Sequence, residues 1–244
     1  MCVARRLIRI TAMLNDIHDM LALCISEPPD DLVALYSMPR PIAPHLGINV
    51  LSLDAAAKYT RAIHEHTLLG RPMGLFALDD ANDSNPFCYV SRGPAKGCIL
   101  HLYHDGTTSI EYASLRGFVD ALHAAIVDGI YIDDLPNKNC RPEIDQNILG
   151  NRIVELAGIG TDEAECELII LVSLLDTART STINLLSKHE NFFVREETAN
   201  LIANYPNSLL IEAAEILAGD IHPQVARPGK AALSAVRRVA NISN

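Results

Sequence analysis

The sequence predicts an α+β fold: a small antiparallel sheet packed with helices, followed by an all-α domain built as a helical repeat or a bundle. Short apolar runs rich in β-forming residues, each bounded by Asp, Asn, Gly or Pro, concentrate in residues 73–113. After a polar stretch at 128–147 these runs stop, and apolar residues recur three and four apart, as on helices. We therefore expect two domains, residues 1–135 and 145–244.

The chain begins with two predicted helices. Apolar residues three and four apart indicate a long helix over 4–25, and Pro28–Pro29 ends it because proline lacks a backbone donor. Asp30 or Asp31 is expected to cap a shorter helix that ends near Tyr36. A proline-rich loop follows.

A strand from Ile48 to Leu53 precedes a third predicted helix. We expect Asp54 to cap this helix, because a side-chain oxygen at the cap accepts from the first free amides. One side of the helix should carry Ala56, Tyr59, Ile63 and His66.

The sheet region is predicted to contain four strands and a closing helix. The strands are expected at 73–78, 87–90, 98–103 and 107–113. Ser114 then provides a hydroxyl at the N-cap of an amphipathic helix. The apolar face of that helix should consist of Leu115, Phe118, Val119, Leu122 and Ile126.

Residues 73–122 resemble the SUKH superfamily. The motifs that carry this likeness are Met73-Gly74-Leu75-Phe76-Ala77-Leu78-Asp79, Leu100-His101-Leu102-Tyr103-His104-Asp105-Gly106 and Tyr112-Ala113-Ser114 with Phe118 and Leu122. Two earlier segments, 27–36 and 48–53, are similar to the family's lP-x-d-y-x-x-f motif and to its first strand, in the same order along the chain. The resemblance implies the family's sheet-and-helix fold.

The resemblance also implies a function, that of a bacterial immunity protein that is not an enzyme. Such a protein binds a cognate antibacterial toxin, delivered by contact-dependent or type VI secretion, and occludes the toxin's active site. The expected contact residues are acids at the ends of the predicted strands together with aromatic anchors. They are Asp79, Asp80, Asp83, Phe87, Tyr103, Asp105, Glu111, Asp133 and Asp134.

Composition restricts the partner further. Thirty acidic against twenty basic residues give a net charge of -10, which disfavours nucleic acid and favours a basic protein such as a nuclease toxin. No apolar run approaches the roughly 20 residues of a membrane span, and no signal-peptide cleavage site follows the basic N-terminus. We expect a cytoplasmic protein without a membrane partner.

The sequence gives no indication of a cofactor or a metal. Its six cysteines include no C-x-x-C pair. His101 and His104 are three apart on a predicted strand, and His64 and His66 are two apart on a helix, so neither pair converges on one side. We expect structural roles for all of them.

The helical half suggests a repeat. Val194 with Ala199, compared with Val225 with Ala231, gives an offset of 31 or 32 residues, which is typical of HEAT-like helix pairs. A plain bundle is the alternative fold. For function, the alternatives are a helical-repeat scaffold that recruits another protein, or a HEAT-like DNA glycosylase, which abundant acids and the absence of tryptophan disfavour.

Overall fold

The protein, described by a computed structural model, forms two compact units, Met1–Glu143 and Ile144–Asn244. The first contains antiparallel sheet and helices and the second is helical, so the α+β class is confirmed at this coarse level. The division falls within the polar stretch discussed above. The structure describes residues 17–22, 25, 27–79, 85–104, 107–134 and 141–242.

The N-terminal helices are only partly described. Residues 17–22 are helical (α1), and the rest of the long helix expected over 4–25 lies outside the described residues or in irregular backbone. Helix α2 spans Asp30–Ser37 and starts after Pro29, with no side-chain cap. The predicted aspartate cap is therefore wrong: both acids lie inside the first turn, where their negative charge still favours the helix N-terminus.

The strand expected over 48–53 is shorter than predicted. Strand β1 (Ile42–Ala43) pairs antiparallel with β2 (Ile48–Asn49). Helix α3 already begins at Leu53 because Ser52, not Asp54, is its N-cap, and the Ser52 hydroxyl accepts from the amide of Ala55 at 3.3 Å.

Helix α3 spans Leu53–His66, and its buried face differs from the predicted one in part. Ala56 and Ile63 are buried as expected, but His66 is exposed. Thr60 is buried instead, at 1% exposure, because it lies on the same side as Ala56 and Ile63 and against strand β3.

The main sheet, among the described residues, has four antiparallel strands in sequential order. They are β3 (Leu75–Ala77), β4 (Phe87–Val90), β5 (Ile99–His101) and β6 (Ser109–Tyr112). All four predicted strands are thus confirmed; β4 has the predicted bounds and the other three are shorter. Every residue of β3, β4 and β5 is buried on both faces, whereas most of β6 is half-buried.

Helix α3 closes the outer edge of β3 with two side chains. The hydroxyl of Thr60 accepts from the amide of Ala77 at 3.0 Å, and Nε2–H of His64 donates to the carbonyl of Leu75 at 2.9 Å. Burial lowers the pKa of His64, which keeps the ring neutral. These bonds satisfy edge groups that would otherwise be open to pairing with another strand.

Helix α4 spans Leu115–Asp128 and follows the sheet as predicted. Ser114 is its N-cap and accepts from the amide of Gly117 at 3.1 Å, which confirms the expected cap. The predicted apolar face needs one correction, because Ile126 is 39% exposed and Ala125 is fully buried in its place.

Between residues 144 and 242, all of which are described, the chain is helical apart from connecting turns. Six α-helices form this half of the chain. They are α5 (Gln146–Ala157), α6 (Asp162–Val172), α7 (Thr180–Leu186), α8 (Phe192–Asn204), α9 (Ile211–Ala218) and α10 (Pro223–Ile242).

Buried positions in these helices recur every 30 or 31 residues. In the first helix of each pair the recurrent set begins with Ile153 and Leu156, returns at Ile183 and Leu186, and returns again at Ala214 and Leu217. In the second helix the sets are Ala164, Leu168, Leu171; then Val194, Thr198, Leu201; then Val225, Gly229, Ala232. We call residues related by these two spacings equivalent.

The helix contacts follow the same order. Helix α5 packs against α6, α7 against α8, and α9 against α10, while neighbouring pairs contact α5 to α7 to α9 and α6 to α8 to α10. The predicted offset of 31 holds for Val194 and Val225, both fully buried. The offset of 32 is wrong, because Ala199 is buried whereas Ala231 is exposed.

Candidate protein-binding sites

Four of the predicted contact acids cannot be placed as side chains. Asp80, Asp83 and Asp105 lie outside the described residues. The structure describes Asp133 only as backbone within a short 3-10 turn, Ile132–Asp134.

Asp79 is the first correction. It is 1% exposed, and its carboxylate accepts from the amide of Phe87 at 2.7 Å, so it orders the connection between β3 and β4. Its backbone also bridges to Val50. The prediction that Asp79 lies on an accessible surface is wrong, because an acid placed where a strand ends can turn inward to bond backbone amides.

Phe87 is the second correction. It is 1% exposed and belongs to the core, where its ring stacks on His101 with centroids 3.9 Å apart. His101 in turn contacts Tyr103 at 4.1 Å. Of the two predicted aromatic anchors, therefore, only the half-buried Tyr103 reaches solvent.

The two remaining acids lie where a partner can reach them. Glu111 is half-buried on β6, and its carboxylate accepts from the hydroxyl of Ser109 at 3.1 Å. Asp134 is exposed at the end of the turn Ile132–Asp134, and its backbone amide donates to the carbonyl of Tyr131 at 2.9 Å. Tyr131, 52% exposed, is an aromatic candidate that the sequence reading missed, although an aromatic beside an acidic turn was a visible signal.

The helical unit contains a second group of polar side chains, at equivalent positions of successive pairs. In the first pair, Glu167 is 3% exposed and accepts two hydrogen bonds from Arg152, at 2.9 Å from Nε and 2.8 Å from Nη2. The hydrogen bond to Glu167 raises the pKa of Arg152. This two-pronged arrangement is the strong form of a carboxylate–guanidinium pair.

The second pair keeps the carboxylate and lacks the arginine. Glu197 is equivalent to Glu167, and the half-buried Thr182 is equivalent to Arg152. The amide of Asn200, on the same helix, donates to Glu197 over 3.4 Å. Burial raises the pKa of Glu197 to about 7, and the neighbouring charge of Glu196 acts in the same direction.

The third pair has neither charge. Ala213 and Pro228 occupy the two equivalent positions, and Ala213 is fully buried. The same place in the repeat is therefore an ion pair, then a carboxylate without an arginine, then an apolar contact.

Arg195 joins the second pair to the third. Its guanidinium binds both carboxylate oxygens of Asp220, at 2.6 and 3.2 Å, and donates to the carbonyls of His189 and Glu190. The hydrogen bond from Arg195 lowers the pKa of Asp220. These contacts connect helix α8 to the turn before it and to the turn between α9 and α10. We therefore assign Arg195 a role in stabilising the packing of the second pair on the third.

Other chemistry is sparse in the described part of the chain. Among the described residues, no group of three His, Cys, Asp or Glu side chains is arranged to hold a metal ion. Cys88 and Cys98 are buried thiols, and burial raises the pKa of both. No helix within the described ranges is long and apolar enough to span a membrane.

Comparison with protein-family models, curated proteins and solved structures finds no match in any of the three.

Proposed function

We propose that this protein is a SUKH-type immunity protein, which binds and neutralises a cognate antibacterial toxin without catalysing a reaction. One observation carries the proposal: the described strands of residues 73–122, which carry the resemblance, form an antiparallel meander, and helix α4 with its serine cap follows it. That is the sheet-and-helix order the resemblance implies. The helical unit is, in the same proposal, a HEAT-like extension of three helix pairs.

The charge of the molecule supports a basic partner. A net charge of -10 accelerates encounter with a basic cleft, such as the cleft in which a nuclease toxin binds phosphate. Among the members of the predicted contact set whose side chains the structure describes, Asp134 is exposed and Glu111 and Tyr103 are half-buried. We propose that these three residues and Tyr131 contact the toxin.

Calorimetric titration with the purified, catalytically inactive toxin domain encoded by the neighbouring gene tests the proposal. We expect a one-to-one complex with nanomolar affinity, which corresponds to about -12 kcal/mol. Absence of both heat and co-elution would reject the immunity function.

A double charge reversal, E111K with D134K, tests the contact residues. We expect at least roughly a tenfold loss of affinity and a weaker dependence on salt, because accessible acids steer a basic partner. The matched control is E65K, which reverses an exposed acid on helix α3 outside the predicted set. Equal affinities for all three proteins would remove Glu111 and Asp134 from the interface.

A helical-repeat scaffold is the second candidate, and exposed apolar side chains favour it. Ile148 and Leu209, at equivalent positions of the first and third pairs, are 59% and 73% exposed, and Ala178 between them is exposed too. Apolar side chains aligned on a surface indicate a protein contact. If I148S with L209S weakens toxin binding and the charge reversals do not, the helical unit makes the contact.

A further inference from the structure

The position shared by Glu167 and Glu197 shows what the second helix pair lacks. The 30-residue spacing is constant on both sides of it, since Ile153 and Ile183 precede it and Leu168 and Thr198 follow it. Glu197 therefore stands where the first pair has an arginine-bound carboxylate, and Thr182 stands where that arginine is attached.

We propose that Glu197 and Thr182 form a receptor site for an arginine side chain supplied by another protein molecule. The helical unit carries this site, so the inference stands apart from the toxin contacts proposed on the sheet unit.

The first pair indicates which ligand fits. Its equivalent carboxylate binds a guanidinium through two parallel hydrogen bonds, from Nε and Nη2. A planar guanidinium makes this contact and a lysine ammonium does not, because the ammonium is a point charge without the fork. Threonine is shorter than arginine and carries no charge, so the second pair itself supplies no guanidinium at the equivalent position.

The first pair also indicates that the site can be reached. Arg152 keeps 31% of its side chain exposed while it binds Glu167, so a guanidinium in this position touches solvent. Both Thr182 and Glu197 are half-buried rather than enclosed.

The energetic state of Glu197 supports the same reading. Burial disfavours its charged form and raises its pKa, and the hydrogen bond that it accepts from Asn200 is long, at 3.4 Å. A bound guanidinium would stabilise the carboxylate and reverse that shift.

The test is carbon-13 NMR of the full-length protein labelled at the side-chain carboxyls of glutamate. The E197Q variant assigns the Glu197 signal, and the probes are N-acetyl-arginine amide and N-acetyl-lysine amide at equal ionic strength. We expect the arginine probe at saturation to lower the pKa of Glu197 by at least about one unit, a tenfold change in proton affinity. The lysine probe should change it much less.

The T182R variant places the missing arginine within the chain. We expect it to lower the pKa of Glu197 without any probe and to abolish the response to the arginine probe. An unchanged Glu197 pKa in the wild-type protein with the arginine probe overturns the proposal, and so does an equal response to both probes. The wild-type titration decides the matter even if T182R does not fold. Loss of toxin binding in E111K with D134K leaves this result unaffected, so the two proposals fail independently.

Discussion

The first and second helix pairs of the helical unit carry a glutamate at the same position, and the two glutamates are in opposite situations. Glu167 is almost fully buried and bound by two nitrogens of Arg152. Glu197 is half-buried and has threonine at the position equivalent to the arginine. Burial raises its pKa to about 7. A repeated residue type therefore does not imply a repeated energy, because the partner determines whether a desolvated charge is stabilised.

The third pair extends the comparison. With Ala213 and Pro228 at the two positions, it carries no charge there. At Gly229, next to Pro228, an added Cβ would lie 2.4 Å from the backbone carbonyl of Leu217 on α9. The third pair thus has close backbone contact next to the position at which the first pair has its ion pair.

The largest effect is expected for E167Q. A neutral amide leaves Arg152 with Glu155 alone, and we expect a loss of about 3 kcal/mol in the free energy of unfolding at pH 7. Urea denaturation followed by circular dichroism measures it. A change below about 0.5 kcal/mol, the range of ordinary surface substitutions, would mean that the first pair gains nothing from its ion pair and that the comparison with Glu197 has no energetic basis.

The next effect concerns the glycines of the first and third pairs. We expect G229A to destabilise the protein by about 2 kcal/mol, because the new methyl group meets the backbone of α9, which cannot move aside easily. The same urea titration measures this loss.

Gly150 provides the matched control. It lies in the interior of α5 with open space at its Cβ, so G150A should gain about 0.5–1 kcal/mol from reduced chain entropy. If both variants are stabilised, the close approach of α9 and α10 is not rigid.

The third effect is the pH dependence of E197Q. The folded pKa of Glu197, about 7, is raised above its ordinary value of 4.5. The stabilising contribution of the protonated carboxyl is therefore complete below about 4.5 and is lost as the pH rises through about 7. Glutamine stays neutral at every pH. The free energy of unfolding of E197Q should therefore exceed that of the wild-type protein by about 1–2 kcal/mol at pH 8.

Unfolding titrations of both proteins between pH 5 and pH 8 measure this difference. We expect the advantage of E197Q to be small at pH 5 and to grow with pH. A constant difference would mean that Glu197 titrates normally in the folded protein.

The smallest effect is expected for E215Q. Glu215 and Arg237 also form an ion pair between two helices, at 3.3 Å, but their side chains are 54% and 60% exposed. Solvent screens such pairs, and we expect a change below about 0.5 kcal/mol by thermal unfolding. A loss as large as that of E167Q would show that burial does not distinguish the pairs.

The strands and helices that could be predicted are those with strong local signals. Turn-forming residues bound all four strands of the main sheet, and Ser114 caps α4 as its hydroxyl suggested. The cap of α3 was misplaced by two residues, because serine and aspartate are both good N-caps and the sequence pattern does not select between Ser52 and Asp54.

The predicted binding residues fared differently. Acidic residues at strand ends were taken as surface residues, and Asp79 turned inward to bond the amide of Phe87. Phe87 was taken as an anchor and proved to be core. A side chain at the end of a strand can point either way, and no local pattern determines which. Glu111 and Asp134 stay predictions that the charge-reversal experiment tests.

The order of the strands and helices and the 31-residue spacing of Val194 and Val225 could be predicted from the sequence alone, because these depend on local propensity and on the periodicity of apolar residues. Which polar groups are satisfied depends on the tertiary structure. Thr60 and His64 form hydrogen bonds with the backbone at the edge of β3, and Arg152 binds Glu167. Glu197 has threonine at the position equivalent to that arginine. Those outcomes depend on which side chains from distant parts of the chain meet, and on how far each is removed from water.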